Sequence, residues 1–178
     1  YRGKKPVYWC ATCETALAEA EVEYEDRQDT SITVAFPVVE GPRVLAEGLQ
    51  SAFTTSKRLA VAVWTTTPWT LPANVALGFH PHTEYVVLRH EGWTYDLIVA
   101  DALVAQVASL LKGDAPQRIG RGSGKAFEGL VAQCPMSPHR SVAVTDESVS
   151  MTEGTGIVHL APGHGHEDYL IGARYHLE

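Results

Sequence analysis

Leu59-Ala60-Val61-Ala62-Val63-Trp64-Thr65-Thr66-Thr67-Pro68-Trp69-Thr70-Leu71-Pro72-Ala73-Asn74 is the stretch on which the reading of this chain turns. Its first seven residues form a short apolar run that suits a strand buried on both faces. The run ends on Thr65 and opens into three further hydroxyls, two prolines, a second indole and an amide. Pro68 withdraws a ladder donor and pushes Thr67 towards extended geometry, so the strand is expected to end there. Two readings of the segment beyond it stand side by side. One is a threonine-rich strand end followed by a helix cap. The other is a row of backbone amides and hydroxyls offered to a small polar ligand.

Working outward, residues 31–39 alternate Ile32, Val34, Phe36 and Val38 on one side, the pattern of a half-buried strand. Residues 84–90 and 93–99 read as two strands with a hairpin-like break at Glu91-Gly92. Residues 141–145 and 156–160 complete the expected strands. Residues 102–112 place Leu103, Val107, Leu110 and Leu111 on one helical face, with Asp101 as N-cap and Gly113 past the end. A shorter helix is expected over residues 166–175. Short strands crossed by a few helices predict a mainly β domain with α, a β-barrel-like core with flanking helices.

The composition sets limits on function. With 178 residues, 45% of them hydrophobic, the chain reads as a single domain over residues 1–178 able to bury one core. Three cysteines exclude a disulfide scaffold, and no apolar run approaches the roughly 20 residues of a membrane helix. Tyr1-Arg2-Gly3-Lys4-Lys5-Pro6 lacks the apolar stretch of a secretory leader. A chain that starts without Met and stops at Tyr175-His176-Leu177-Glu178 is expected to be a piece of a larger cytoplasmic protein. Fourteen Lys and Arg against 21 Asp and Glu leave a net charge of −7. That excludes a free-standing basic nucleic-acid clamp, so any nucleic acid is held elsewhere or touched at one end only.

A second chemical stretch is Gly154-Thr155-Gly156-Ile157-Val158-His159, continued by Ala161-Pro162-Gly163-His164-Gly165-His166-Glu167-Asp168-Tyr169. A strand delivers His159, a Gly/Pro-rich turn follows, and Asp168 falls at a helix start. Asp168 is either a first-turn acid favoured by the helix dipole or a carboxylate that grips an ammonium group. His159, His164 and His166 with Glu167 and Asp168 raise the thought of a metal, but they match no metal-site spacing with a helical mechanism. Cys10-Ala11-Thr12-Cys13 is a Cys-x-x-Cys knuckle, half of a four-ligand zinc site, whereas Cys134 lies alone. Gly120-Arg121-Gly122-Ser123-Gly124-Lys125 fails the Walker spacing and is read as a glycine-rich turn.

Three segments together resemble a known family. Lys5-Pro6-Val7-Tyr8-Trp9-Cys10 with residues 16–24 is similar to the segment leading into the large insertion of class I synthetases for branched aliphatic amino acids. Residues 64–74 and 154–169 resemble the two signature segments of that insertion, the editing (connective peptide 1) domain. Valyl and leucyl relatives follow the threonines with Arg-Pro-Glu or Arg-Pro-Asp. Here Thr67-Pro68-Trp69-Thr70-Leu71-Pro72-Ala73-Asn74 is the isoleucyl-tRNA synthetase pattern, and Val158-His159 fits it too. The acids of Gly165-His166-Glu167-Asp168-Tyr169 depart slightly from that pattern, and the motif survives.

The resemblance implies an ester hydrolase that removes valine from mischarged isoleucine tRNA, and leaves open whether valyl-adenylate is also cleaved. It implies Asp168 on the substrate's α-ammonium, and His159 and the threonine strand around the valine side chain. Thr65, Thr66 and Thr67 would face the carbonyl, the terminal ribose and a water. Trp69 would be an apolar wall, and Asn74 would hold the loop or the substrate. Asp168, His159 and Thr67 are the expected catalytic group. It further implies no metal in the editing site and ATP and Mg for the parent synthetase. Zinc through Cys10 and Cys13 would be completed outside the fragment. The implied partners are the tRNA's 3′-terminal adenosine, valine and the rest of the synthetase, with no membrane, the fragment itself monomeric. Residues 1–25 and 165–178 would lead into and out of the parent chain. The alternatives are a valyl-type domain that removes threonine and a non-catalytic tRNA-docking module.

Overall fold

The computed structural model describes residues 5–26, 28–56, 58–110 and 115–177. β1 (Tyr8–Cys10) and β2 (Thr15–Leu17) form a small antiparallel hairpin of their own. The main sheet has nine strands: β3 (Ile32–Glu40), β4 (Leu59–Thr65), β5 (Ala76–Phe79), β6 (Glu84–Arg89), β7 (Asp96–Ala100), β8 (Gln117–Ser123), β9 (Val131–Gln133), β10 (Arg140–Thr145) and β11 (Ile157–Leu160). Their order is β11-β5-β10-β9-β3-β4-β7-β6-β8, mixed because β5/β10 and β4/β7 run parallel. Three α-helices flank it: α1 (Glu47–Thr55), α2 (Val104–Leu110) and α3 (His166–Tyr175). Among the described residues no helix is long and apolar enough to cross a membrane.

The mainly β fold with a few helices on a barrel-like core is the one expected from the sequence, and β4 shows how it is built. Val61 and Val63 point into a central core with Phe36, Leu77, Phe79, Tyr85, Ile98 and Phe127. Ala60 and Ala62 point the other way, under Val104 and Val107 of α2. Both faces are covered, so the run is continuously apolar, and alanine on the helix side lets α2 come close. Strands from both ends of the sheet order contribute to the central core, so the sheet curls around it. A third cluster packs Ile171 of α3 on Ala76, Val144 and Leu160.

Several expectations need correction. The glycine-rich segment read as a turn is mostly strand: β8 takes in Gly120, Gly122 and Ser123, paired with Val87, Tyr85 and Glu84 of β6. The glycines are there for close approach, since a Cβ on Gly120 would stand 2.7 Å from Ala52 Cβ of α1. Asp101 is not an N-cap. It lies in a 3-10 turn, Asp101–Leu103, ahead of α2, makes no capping hydrogen bond, and pairs with Arg118 at 2.8 Å. Leu110 is largely exposed rather than on the buried face, and Leu111, Lys112 and Gly113 of the expected helix end lie outside the described residues. Residues 1–4 of the expected lead-in from the parent chain and residue 178 of the expected lead-out lie outside them as well. β7 begins at Asp96 rather than at residue 93.

Candidate active site at the open end of β4

Pairing changes along β4. β3 pairs with it from Ala60 to Thr65, but β7 pairs only with Leu59, Ala60 and Val61. Beside residues 62–65 lies β11, in contact with β4 but joined to it by no ladder among the described residues. A cavity of about 470 Å³ opens at this seam, lined by Trp64, Thr65, Thr66, Thr67, Trp69, Thr70, Val158, His159, His164, Gly165 and Asp168. Both chemical stretches singled out in the sequence thus meet at one place, although about 90 residues separate them.

The threonines are ordered by one another. Thr67 N–H donates to Thr65 Oγ1 at 3.0 Å, and the two hydroxyls lie 3.3 Å apart. Pro68 opens a 3-10 helix, Pro68–Ala73, and the Thr67 carbonyl accepts from both the N–H and the hydroxyl of Thr70, at 3.0 and 2.8 Å. Thr65 is buried, whereas Thr66 and Thr67 are exposed to the cavity mouth. Trp69 stands at the rim, 65% exposed.

Thr70 is the site residue that the sequence reading passed over. Its Oγ1 lies 3.0 Å from His159 Nε2. The Thr70 hydroxyl thus bridges the Thr67 carbonyl and the Nε2 edge of the ring. Nδ1 is buried and has no hydrogen-bond partner among the described residues. Burial pushes the His159 pKa below the ordinary imidazole value; nearby Asp168 pulls it up and His164 pushes it down, and the net shift is downward. The ring is therefore neutral at neutral pH, with its Nε2 edge against Thr70.

α3 begins where expected, at His166, with Gly165 in the N-cap position. Asp168 Oδ2 accepts the Ala161 N–H at 2.8 Å, which ties the first turn of α3 to the end of β11. That bond holds the carboxylate at the cavity wall and leaves Oδ1 without a partner among the described residues. The far end of α3 is held by Arg174 on Asp146 at 2.6 Å and by the Tyr175 hydroxyl on the Thr145 carbonyl at 2.9 Å.

Asn74 does not line this cavity. It is fully buried, donates from Nδ2 to the Ala76 carbonyl at 2.8 Å, and accepts the Ser141 hydroxyl at Oδ1. Its amide is spent joining the start of β5 to β10, so its place is under the loop and not on a substrate. Among the described residues no three His, Cys, Asp or Glu side chains come together as a metal cage. Cys10 ends β1 and Cys13 lies in the turn to β2, where Cys13 N–H donates to Cys10 Sγ at 3.3 Å and lowers the Cys10 pKa. Two thiols are fewer than the four ligands of a structural zinc site, and among the described residues no further ligand joins them. Cys134 supplies none, being buried on the Leu71 carbonyl.

Comparison with known proteins gives the family and the fold. The family model for class I tRNA synthetases (I, L, M and V) matches residues 1–163, and the chain belongs to that family. Within it the sequence is similar to isoleucine–tRNA ligases: 48% identical over 178 residues to that of Desulforudis audaxviator and 43% to that of Halalkalibacterium halodurans. The alignments cover 99% and 100% of this chain but 18% of each relative, so the chain spans under a fifth of their length. In fold it resembles the crystal structure of GlLeuRS-CP1, with TM-score 0.66 at 17% identity over 84% of this chain and 65% of that one. It also resembles the P. knowlesi cytosolic leucyl-tRNA synthetase editing domain, with TM-score 0.61 at 14% identity over 80% and 63%.

Proposed function

We propose that this domain hydrolyses valine wrongly esterified to the 3′-terminal adenosine of isoleucine tRNA, as the second sieve of an isoleucine–tRNA ligase. The observation that carries the reading is the meeting of a carboxylate, Asp168, a neutral imidazole, His159, and the Thr65–Thr66–Thr67 run in one open cavity. An apolar pocket separates side chains differing by one methylene by only about 1–3 kcal/mol, a general limit for which isoleucine against valine is the standard case. A second pocket that admits only the smaller side chain removes what the first lets through.

In this reading Oδ1 of Asp168 takes the α-ammonium of the ester, a charge-assisted contact that fixes its orientation. His159, Trp64 and Trp69 enclose the side chain. Thr66 and Thr67 offer hydroxyls and backbone groups to the ester carbonyl, the ribose and a water. The water oxygen attacks the ester carbonyl carbon, the bond to the ribose oxygen breaks, that oxygen takes up the proton, and valine leaves. An aminoacyl ester is activated enough for orientation and oxyanion donors to carry the step without a strong base. Isoleucine activation with ATP and Mg belongs to the rest of the synthetase, a cytoplasmic enzyme. That remainder holds the tRNA body, is reached through residues 1–25 and 165–178, and completes a zinc site on Cys10 and Cys13. The acidic domain alone then binds tRNA weakly, and sub-micromolar affinity at physiological salt contradicts this.

The test is deacylation of Val-tRNA and Ile-tRNA for isoleucine by this chain and by the full-length enzyme, beside Asp168→Ala, with and without EDTA. Release of valine but not isoleucine, slowed at least about tenfold in the variant and indifferent to EDTA, is expected. No release by the full-length enzyme would leave a tRNA-docking module.

A further inference from the structure

The cavity lies at a seam with no ladder to set its width, and the contacts that replace the ladder come from the segment just before β11. Gly154 is buried with φ +70°, and a Cβ on it would stand 2.7 Å from Trp64 Cβ and 2.8 Å from Trp64 Cγ. Those atoms sit at the root of the indole, on a strand whose Trp64 is in register with Thr33 of β3, so β4 is not the part that yields. On the other side the segment is pinned by two hydrogen bonds. Ala100 N–H donates to the Thr155 carbonyl at 2.9 Å, and the buried Tyr85 hydroxyl donates to the Gly156 carbonyl at 2.7 Å. Tyr85 is a permanent donor, because burial pushes its pKa up to about 12. Gly156, with φ +72°, packs directly on Ala100.

We infer that Gly154, pressed on Trp64 and backed by the Tyr85–Gly156 pin, fixes the separation of β4 and β11. It is thereby a positioning residue that sets the side-chain size limit of the cavity. The inference rests on the editing reading above and deepens it. Relief of a 2.7 Å contact to an ordinary 3.4–4 Å one moves the lead-in to β11 away from β4 by roughly 1 Å, close to the space a methyl group needs. His159, three residues past Gly156, moves with it.

The test is Gly154→Ala in the full-length synthetase, read as rates of Val-tRNA and Ile-tRNA deacylation. Gly129→Ala is the control, a left-handed glycine (φ +80°) packed on Arg43. Gly154→Ala is expected to raise cleavage of Ile-tRNA relative to Val-tRNA by about tenfold or more, the scale of one methyl group. Gly129→Ala carries the same backbone strain and is expected to leave the ratio unchanged. An unchanged ratio in folded Gly154→Ala, the same change in Gly129→Ala, or an equal fall in both rates overturns the inference. If Gly154→Ala does not fold, Tyr85→Phe loosens the seam without a clash and is expected to shift the ratio the same way by less; no shift overturns it. If the wild-type enzyme cleaves neither ester, the editing reading fails instead. The seam is then judged on the crystal structure of Gly154→Ala, where an unaltered β4–β11 spacing overturns it.

Discussion

The two halves of β4 share one strand and one paired neighbour, β3, yet they do different work. At Ala60 and Val61 the strand has ladders on both sides and apolar cover on both faces. Around residues 62–65 one edge faces β11 without a ladder, and the face runs out into threonines. Four residues of lost pairing turn a core strand into a cavity wall. Stability and chemistry are therefore separable along a single strand, and substitutions in each half are expected to move different observables.

The largest effect belongs to the paired half. Phe36, fully buried opposite Val61, fills the central core. Phe36→Ala is expected to cost about 3–5 kcal/mol, seen as a fall in Tm of roughly 6–20 °C at this chain length. The rate of deacylation per folded molecule stays near that of wild type at low temperature. A matching loss of specific rate would break the separation.

Asp168→Ala reverses that pattern. Loss of a charge-assisted contact to the ammonium is expected to cost about 1.5–3 kcal/mol in transition-state stabilisation, roughly 10- to 150-fold in kcat/KM. Stability falls less, because only the Ala161 N–H bond goes with it. A collapse of Tm with the fold-change in rate accounted for by unfolding would make the residue a helix cap and nothing more.

Thr70→Val tests how the wall is held. It removes the hydroxyl that joins the Thr67 carbonyl to His159 Nε2 and keeps the volume. About 1 kcal/mol, or several-fold in kcat/KM, is expected, with Thr70→Ser recovering most of it. Equal losses in the Val and Ser variants would place the effect in packing and not in the hydroxyl.

What the sequence made legible follows from how local each signal is. β4 and α3 were readable to the residue. A run covered on both faces stays apolar to its end, and Pro68 stops the strand, while Gly165 and the acids after it mark a helix start. β8 was not, because Gly120 and Gly122 look like turn residues until α1 is packed on them. α1 itself carries Gly48, Thr54 and Thr55, poor helix formers, and owes its place to Leu49 and Ala52 in the core. Within the site, the residue types of Asp168, His159 and the threonines stood out. Thr70 did not, since its partner is 89 residues away. Asn74 was chemically conspicuous for a reason that only topology reveals: it ties two parallel strands, β5 and β10, beneath the loop.

The smallest expected effect concerns protons at the seam. His159 has a folded pKa below its ordinary value, mainly through burial. The unfolded chain then takes up a proton at this side chain as pH falls through about 6.5, before the folded chain does. Stability from the neutral ring is complete above that pH and is lost as pH falls from there towards the folded value. His159→Asn is accordingly expected to lose less Tm than wild type between pH 7 and pH 5.5, the other histidines contributing alike to both. The neighbours sharpen the comparison, because Asp168 favours the charged ring and His164 opposes it. Asp168→Asn is expected to deepen the acid loss and His164→Ala to shallow it. If all four proteins lose Tm in parallel, the ring is not desolvated at the seam. The cleft between β4 and β11 would then be wetter than a cavity closed around a side chain allows.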